Sequence, residues 1–307
     1  MKKIILSGLI TVLIASCAKV EIMAPEFEVS TAKTTYSVKD TVAFNFTGNP
    51  DNITFYSGES THKYENINRI SATPDSSLVT FSTVSTALVA ASQPVALNNV
   101  SILVSKDYSG VLDAASIKKA TWTDITSRAK ISTNATTVAS GNVHIEDQQA
   151  GTAPVYVAFR YLADTCTATS LSRKWTVSAL TIKSFFKDTT NILANPTNTG
   201  GFSTGGFRVF SVLNATNIWL YANNNIAFNA PALGSSKDED WVISRPLDLT
   251  LVANDLGVSI KNTSVRLSQY KYVFKKPGTY LVTFLVQNIS SDNAIKSTKQ
   301  LTLTITN

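Results

Sequence analysis

The residues that could carry nucleophilic catalysis are few in this sequence. Residues 201–205, GFSTG, match the G-x-S-x-G pattern of a nucleophile elbow, which requires a strand before it, a helix after it and a histidine downstream. Both histidines, His62 and His144, precede the motif, and the residues after it, FRVFSV, alternate as a strand does. The pattern therefore predicts a Gly/Thr-rich loop at this place.

Cysteine and histidine offer little more chemistry. The sequence has two cysteines, Cys17 and Cys166, whereas a zinc site needs several Cys, His or acidic ligands at short spacing. A reactive thiol also needs a neighbouring base that lowers its pKa, and two histidines are all the chain has. We predict that Cys166 is a partly buried structural residue rather than a nucleophile.

Carboxylates permit glycoside hydrolysis when two of them stand at a fixed separation. The candidates are Asp107, Asp124, Glu146 and Asp147, although solvated surface acids explain the same residues. No pattern marks a pair, so we expect that the protein is not an enzyme.

The densest acidic cluster is KDED at residues 237–240. Carboxylate oxygens suit calcium, which makes Asp238 and Asp240 candidates for a structural calcium site. The alternative is a charged turn before Trp241. We expect no other cofactor.

One strand pattern suggests a sugar-binding surface. In residues 217–221, NIWLY, Ile218 and Leu220 share one face of a strand while Trp219 and Tyr221 share the other. Aromatic faces stack on sugar rings and amide side chains bind hydroxyls. The candidate carbohydrate-binding residues are therefore Trp219, Tyr221, Asn223 and Asn225, and the alternative is a strand that is buried on both faces.

The other aromatic residues fit core positions better. Trp122, Trp175 and Trp241 lie in alternating strand patterns, and the same-face series Tyr270, Tyr272 and Phe274 indicates mainly core and edge cover. We expect core packing for both groups.

The elements that would position these residues are almost all strands. Period-two apolar series recur along the chain, as at Val42, Phe44 and Phe46, between segments rich in Thr, Ser, Asn and Gly. The one helix candidate is residues 113–120, where Asp113 provides an N-cap. Many short strands with turns between them predict an all-β protein made of sandwiches.

The N-terminus has the pattern of a secretory signal peptide. Two lysines precede an apolar run of about a dozen residues, too short for the roughly 20 needed to span a bilayer. Residues 14–17, IASC, resemble a bacterial lipobox, which implies that residues 1–16 are removed and that Cys17 is acylated. We expect an outer-membrane lipoprotein that faces the cell surface, with residues 17–25 as a tether; the alternative is an ordinary signal peptide with a chance cysteine.

Composition bounds the remaining possibilities. The chain has 307 residues, which predicts about two domains, and 44% of them are hydrophobic, enough for packed cores. Its net charge of +6 is spread without a dense Lys/Arg stripe, so we expect no nucleic-acid partner.

Two segments resemble the halves of a PKD-type immunoglobulin-like domain. The first is Thr35–Glu59, with FYSGE at its end, and the second is Tyr270–Asn288, with the Pro277-Gly278 turn. This resemblance implies one discontinuous sandwich, residues 26–70 plus 250–307.

The region between these halves also resembles a known module. The segments VSILVSKDYSG, ATWTDIT, PVYVAFRY, RKWTVSALTI and DWVISRPLDL resemble the choice-of-anchor or cleaved-adhesin jelly-rolls, which implies an inserted jelly-roll at residues 71–249. As a whole the chain resembles secreted lipoproteins of the "domain of unknown function 5017" family. Their genes typically lie beside outer-membrane glycan-import systems.

These resemblances lead to three hypotheses. The first is a non-catalytic carbohydrate-binding accessory of an outer-membrane glycan-uptake system, with polysaccharide and a transporter complex as partners. The second is a structural, adhesive or partner-docking lipoprotein without a sugar site. The third is a glycoside hydrolase.

Overall fold

The structure is a computed structural model, and it describes residues 22–87, 99–149, 151, 153–167, 173–229, 231–291 and 293–307. The predicted signal peptide (residues 1–16), Cys17 and the start of the tether lie outside the described residues, so they stay predictions. The described part consists of strands with one short α-helix and three 3₁₀ turns. The predicted all-β class is therefore confirmed. None of the helices in these ranges has the length and apolar character needed to cross a bilayer.

The chain divides into two compact units. The discontinuous unit consists of the described residues through Ile67 together with Asp255–Asn307, and the inserted unit is Asn68–Asn254. The limits expected from sequence were residues 70 and 250.

The discontinuous unit contains two sheets, one of three strands in the order β1-β3-β18 and one of five in the order β17-β4-β19-β20-β2. All neighbours are antiparallel except β2 and β20, which are parallel. The strands are β1 (Phe27–Ser30), β2 (Thr35–Ser37), β3 (Val42–Gly48), β4 (Asn52–Tyr56), β17 (Val258–Lys261), β18 (Gln269–Tyr272), β19 (Gly278–Ile289) and β20 (Ala294–Thr306), with a 3₁₀ turn at Tyr64–Asn66.

The core of the discontinuous unit lies where apolar side chains of its two sheets meet. Val42, Phe44 and Phe46 alternate on β3 and are all buried, as their spacing predicts. The ring of Phe284 on β19 lies 5.2 Å from the rings of both Phe44 and Phe46. Such edge-to-face aromatic contacts add to the stabilisation from burial of their apolar area.

The inserted unit also contains two sheets. One has the order β13-β16-β10-β6-β7, and the other has the order β14-β15-β11-β5-β8, with β12 paired to β11 and β9 paired to β5. The elements are β5 (Ser76–Ala87), β6 (Val100–Ser105), α1 (Ala114–Lys119), β7 (Thr123–Asp124), β8 (Val138–Ala139), β9 (Val143–His144), β10 (Tyr156–Ala163), β11 (Arg173–Phe186), β12 (Thr189–Ala194), β13 (Phe207–Leu213), β14 (Trp219–Ala222), β15 (Asn225–Phe228) and β16 (Asp238–Ser244), with 3₁₀ turns at Thr126–Arg128 and Glu146–Gln148.

The five-stranded sheet of the inserted unit has apolar residues on both faces. Its inner face shares the main core with the seven-stranded sheet. Its other side, the outer face, carries a smaller apolar cluster to which Leu103, Trp241 and Ile117 of α1 belong. The helix begins where expected, because Asp113 Oδ1 accepts a hydrogen bond from Ser116 N at 2.7 Å. Helix α1 therefore packs against part of the outer face, and the remainder of that face is not covered by the helix.

Candidate functional site

The predicted sugar platform is not formed around Trp219. The Trp219 side chain is 1% exposed, it packs on Phe228, and its indole nitrogen donates to the Asp240 carbonyl. Ile218 and Leu220 are the exposed pair, at 40% and 43%. The prediction that Trp219 faces solvent is therefore wrong, because the larger aromatic pair of this strand, rather than the aliphatic pair, lies towards the core.

The other three residues of that prediction shape a hairpin turn. Asn223 and Asn224 both have positive φ, 52° and 59°, as a two-residue turn between antiparallel strands requires. The half-buried Tyr221 donates its hydroxyl proton to Asn224 Oδ1 at 2.9 Å. Asn225 pairs with Ala222 as the first residue of β15. Without Trp219, these side chains do not make an aromatic platform.

The acids considered for hydrolysis each bind a protein group. Asp107 accepts from Ser105 Oγ and Thr121 N, Asp124 accepts from Thr126 N, and Glu146 accepts from Ser77 N. Asp147 binds the guanidinium of Arg128 through both oxygens, at 2.7 and 2.8 Å. The Ser105 hydroxyl lowers the pKa of Asp107, and Arg128 lowers that of Asp147. A general acid would need the opposite shift.

The loop predicted at residues 201–205 is confirmed. These residues form turns, and the strand β13 follows them rather than a helix. A Cβ at Gly205 would lie 2.0 Å from Pro196 Cα, so only glycine fits against this proline. Cys166 is fully buried, and its backbone nitrogen donates to Ser235 O.

Asp238 and Asp240 are not in a charged turn. They belong to β16 and are 0% and 1% exposed, so the surface-turn interpretation is wrong. Burial raises the pKa of Asp240 to about 9, and its neighbour Asp238 adds to that rise. Burial also raises the pKa of Asp238. Among the described residues, no group of three or more His, Cys, Asp or Glu side chains forms a metal cluster.

A pocket of about 300 Å³ lies on the outer face of the five-stranded sheet. We call it the Trp122 pocket. Strands β6, β7, β10 and β16, helix α1 and the segment between α1 and β7 supply its lining. The lining residues are Leu103, Ile117, Lys118, Ala120, Trp122, Asp124, Arg160, Glu239 and Trp241. Its base is apolar because these strands turn alternate residues towards the outer cluster.

Two indole rings line this pocket. The ring centroids of Trp122 and Trp241 are 5.0 Å apart with an interplanar angle of 48°. Trp122 is half-buried, whereas the other three tryptophans of the chain are at most 3% exposed. Its Nε1 donates to Ile117 O at 3.0 Å, which fixes the ring against α1. Trp122 therefore presents a partly exposed aromatic surface in a fixed orientation.

The rim of the Trp122 pocket is polar and balanced in charge. Lys118 and Arg160 carry positive charge, and Asp124 and Glu239 carry negative charge. Trp241 Nε1 donates to Glu239 Oε1 at 3.0 Å, and the Arg160 guanidinium carbon lies 5.6 Å from the Trp241 ring. The Arg160 Nε is buried and has no hydrogen-bond partner in the described residues.

The sequence predicts core positions for Trp122, Trp175 and Trp241; Trp175 and Trp241 are buried, whereas Trp122 is only half-buried. Trp122 lies in the short segment between α1 and β7 (Thr123–Asp124), and β7 is an edge strand, so no further strand covers this side of the sheet. A usable signal was the segment TWTD, which places Trp122 and Asp124 two residues apart and hence on one face.

The comparisons with known proteins give one match. Residues 16–202 match the family model described as "Domain of unknown function (DUF5017)". Neither a curated protein nor a solved structure matches the chain. Because the matched range covers more than half of its length, the chain belongs to the DUF5017 family of proteins of unknown function.

Proposed function

We propose that this protein is a non-catalytic carbohydrate-binding protein and that the Trp122 pocket is its sugar site. The observation that carries the proposal is the indole of Trp122, which is half-exposed in a pocket rimmed by two acids and two bases. Pyranose rings have apolar C–H faces that stack on aromatic rings, while their hydroxyls need donors and acceptors.

The charges at the rim favour neutral sugars. Glu239 and Asp124 can accept hydrogen bonds from hydroxyls, and the guanidinium of Arg160 at the rim can donate them. Two positive and two negative groups give the pocket no net charge, so a neutral glycan meets no strong repulsion. The volume of about 300 Å³ lies at the lower end of the range for small-ligand sites and suits one or two sugar units.

The setting that we propose for this activity is the cell surface. The lipobox-like segment before Cys17 supports attachment to the outer membrane through a lipid. The PKD-like and jelly-roll resemblances support a role in display rather than chemistry. The partners would be a polysaccharide and an outer-membrane glycan transporter, as the genomic setting typical of the family indicates.

The experiment is a polysaccharide screen with the full mature chain. Affinity gels that contain single polysaccharides should retard the protein for one class of glycan, and a matching oligosaccharide should abolish the retardation. Co-purification with a transporter but no retardation on any glycan would instead support the partner-docking alternative. Release of sugar by the pure protein would contradict the non-catalytic part of the proposal.

A further inference from the structure

Another pocket, of about 260 Å³, lies in the discontinuous unit, on the side of its five-stranded sheet that faces away from the core. We call it the Tyr64 pocket. On β19, Val282 and Phe284 point into the core, so Leu281 and Thr283, which alternate with them, point to the opposite side. Leu281 is 45% exposed there. Strand β20 adds Gln300 beside Thr283. The floor of the pocket therefore has an exposed apolar group next to polar ones.

The loop that follows β4 packs against this side of the sheet. A Cβ at Gly58 would lie 2.8 Å from Leu281 O, so the loop approaches β19 as closely as a glycine permits. The buried carboxylate of Asp255 accepts hydrogen bonds from Lys63 N at 2.9 Å and from Asn66 Nδ2 at 3.2 Å. Contacts within the discontinuous unit therefore hold the loop in position.

This loop supplies an aromatic ring to the pocket. Tyr64 is half-buried, and its ring packs edge-to-face with the ring of the buried Tyr56, with centroids 5.3 Å apart and an interplanar angle of 74°. Tyr56 is held in turn by Gly257, where a Cβ would lie 2.6 Å from the phenol ring. Tyr64 therefore presents a partly exposed aromatic surface that is in place before a ligand binds, which lowers the entropy lost on binding.

The polar groups of the Tyr64 pocket are mixed. Gln300 Nε2 donates to Thr283 Oγ1 at 3.0 Å, which orients the amide and leaves its carbonyl oxygen as an acceptor. The hydroxyl of Thr279 can donate and accept. Lys63 and Glu65 contribute one positive and one negative charge. The pocket thus combines an aromatic ring with hydrogen-bonding groups and has no net charge.

This combination fits a neutral sugar better than an anion or an apolar ligand. The C–H face of a pyranose stacks on an aromatic ring, while its hydroxyls bind amide, hydroxyl and carboxylate groups. An anion would meet Glu65 as well as Lys63. An apolar ligand would leave the polar groups without the hydrogen bonds that water gives them.

We propose that the Tyr64 pocket is a second glycan-binding site, with Tyr64 as its stacking residue and Gln300 and Glu65 as ligands of sugar hydroxyls. It goes beyond the function proposed for the Trp122 pocket, because it assigns sugar binding to the discontinuous unit as well. Two sites that engage a repetitive polysaccharide at the same time raise the overall affinity without any new contact.

The test uses the full mature chain with Trp122→Ala, which disables the Trp122 pocket. The probes are short neutral oligosaccharides of glucose, mannose, galactose or xylose, and the measurement is saturation-transfer NMR. Saturation of the protein should still reach the ring protons of one of these sugars. The additional change Tyr64→Ala should abolish this transfer, whereas Tyr64→Phe, which keeps the ring, should retain it. The control Tyr221→Ala truncates a half-buried tyrosine of the inserted unit and should also retain it.

The outcomes separate the two sites, provided that the unfolding midpoint shows each variant to be folded. Loss of all transfer in Trp122→Ala alone would overturn the second site and leave the Trp122 pocket in place. Equal transfer with and without the Tyr64 ring would overturn it too. Transfer that depends on Tyr64 but not on Trp122 would support the Tyr64 pocket and contradict the Trp122 pocket. No transfer from the wild-type chain would overturn both; if Tyr64→Ala then also prevents co-purification with a transporter, the pocket binds a polypeptide.

Gln300 offers an independent measurement. In the Trp122→Ala chain, Gln300→Ala should weaken the remaining binding by roughly three- to tenfold, as expected for the loss of one hydrogen bond. The control is Thr298→Ala, which changes an exposed residue on the same side of β20 that does not line the pocket. Equal affinities for the two variants would contradict the proposed set of ligands.

Discussion

Arg160 on β10 lies directly across from Trp241 on β16, with its guanidinium carbon 5.6 Å from the centre of the indole ring. The same indole donates its N–H to Glu239 Oε1. The buried indole of Trp241 therefore contacts both the Arg160 guanidinium and the Glu239 carboxylate at the rim of the Trp122 pocket. Groups that are held in place before binding lose little entropy when a ligand arrives.

Trp241→Phe tests this positioning role. The substitution keeps most of the apolar volume but removes the hydrogen bond to Glu239 and weakens the attraction for Arg160. We expect a fall in glycan affinity of roughly three- to tenfold, which corresponds to about 0.7–1.4 kcal/mol, measured by titration calorimetry. The control is Trp175→Phe, which removes the indole bond to Asn99 in the main core. Equal affinities for the two variants would refute the positioning role.

Trp219→Ala should destabilise the protein rather than affect binding. The side chain is buried among core residues, and truncation of a large buried aromatic costs about 3–5 kcal/mol. The measurement is the free energy of unfolding in urea. Leu220→Ala, at the exposed neighbouring position, should change it by less than about 0.5 kcal/mol. If the two variants are equally stable, the core position of Trp219 is wrong.

Tyr272 makes the free energy of unfolding depend on pH in the alkaline range. Burial, and then the hydrogen bond of its hydroxyl to Glu59 at 2.5 Å, raise its pKa from 10.0 to about 12. Between these values the folded chain holds a proton that the unfolded chain has lost, so the free energy of unfolding falls as pH rises from about 10 to about 12. Denaturation at several pH values should show this decline in the wild-type chain.

In the Tyr272→Phe variant, the part of this fall in the free energy of unfolding that Tyr272 causes should be missing. The variant should also be less stable at neutral pH by about 1.5–3 kcal/mol, because Glu59 loses the hydrogen bond from Tyr272 while it keeps the one from Lys275 N. Tyr270→Phe, on the same strand, is the control for stability at neutral pH only, because burial also raises the pKa of Tyr270. An unchanged pH profile in Tyr272→Phe would show that another group is responsible.

Cys166 should be inert in the folded protein. Its side chain is fully buried, and a thiol must be exposed and ionised to react. With Cys17 replaced by serine, a thiol reagent should label the native chain slowly and the denatured chain at once. Rapid labelling of the native chain would contradict the buried position.

The sequence predicted the β class because alternation is a direct consequence of strand geometry. It also predicted the cap of α1, since Asp113 precedes a helix-forming segment. It could not decide which face of the strand at Trp219 lies inside, because both faces are apolar. Asp238 and Asp240 are buried, although acidic residues usually lie at the surface. Exceptions of this kind occur most often at functional sites.

The exposure of Trp122 depends on packing that a linear pattern does not contain. The position of α1 on the outer face decides which residues of that face stay open. A strand of only two residues gives too few positions for periodicity to indicate its orientation.

Affinity electrophoresis of Trp122→Ala tests the central claim most directly. On the polysaccharide that retards the wild-type chain, this variant should bind at least roughly tenfold more weakly, a loss of about 1.4 kcal/mol or more. Its unfolding midpoint should confirm that the variant is folded. Tyr221→Ala, which truncates an aromatic residue on the seven-stranded sheet, should bind as the wild type does. Wild-type affinity in folded Trp122→Ala, with binding lost in Tyr221→Ala, would contradict the proposed site.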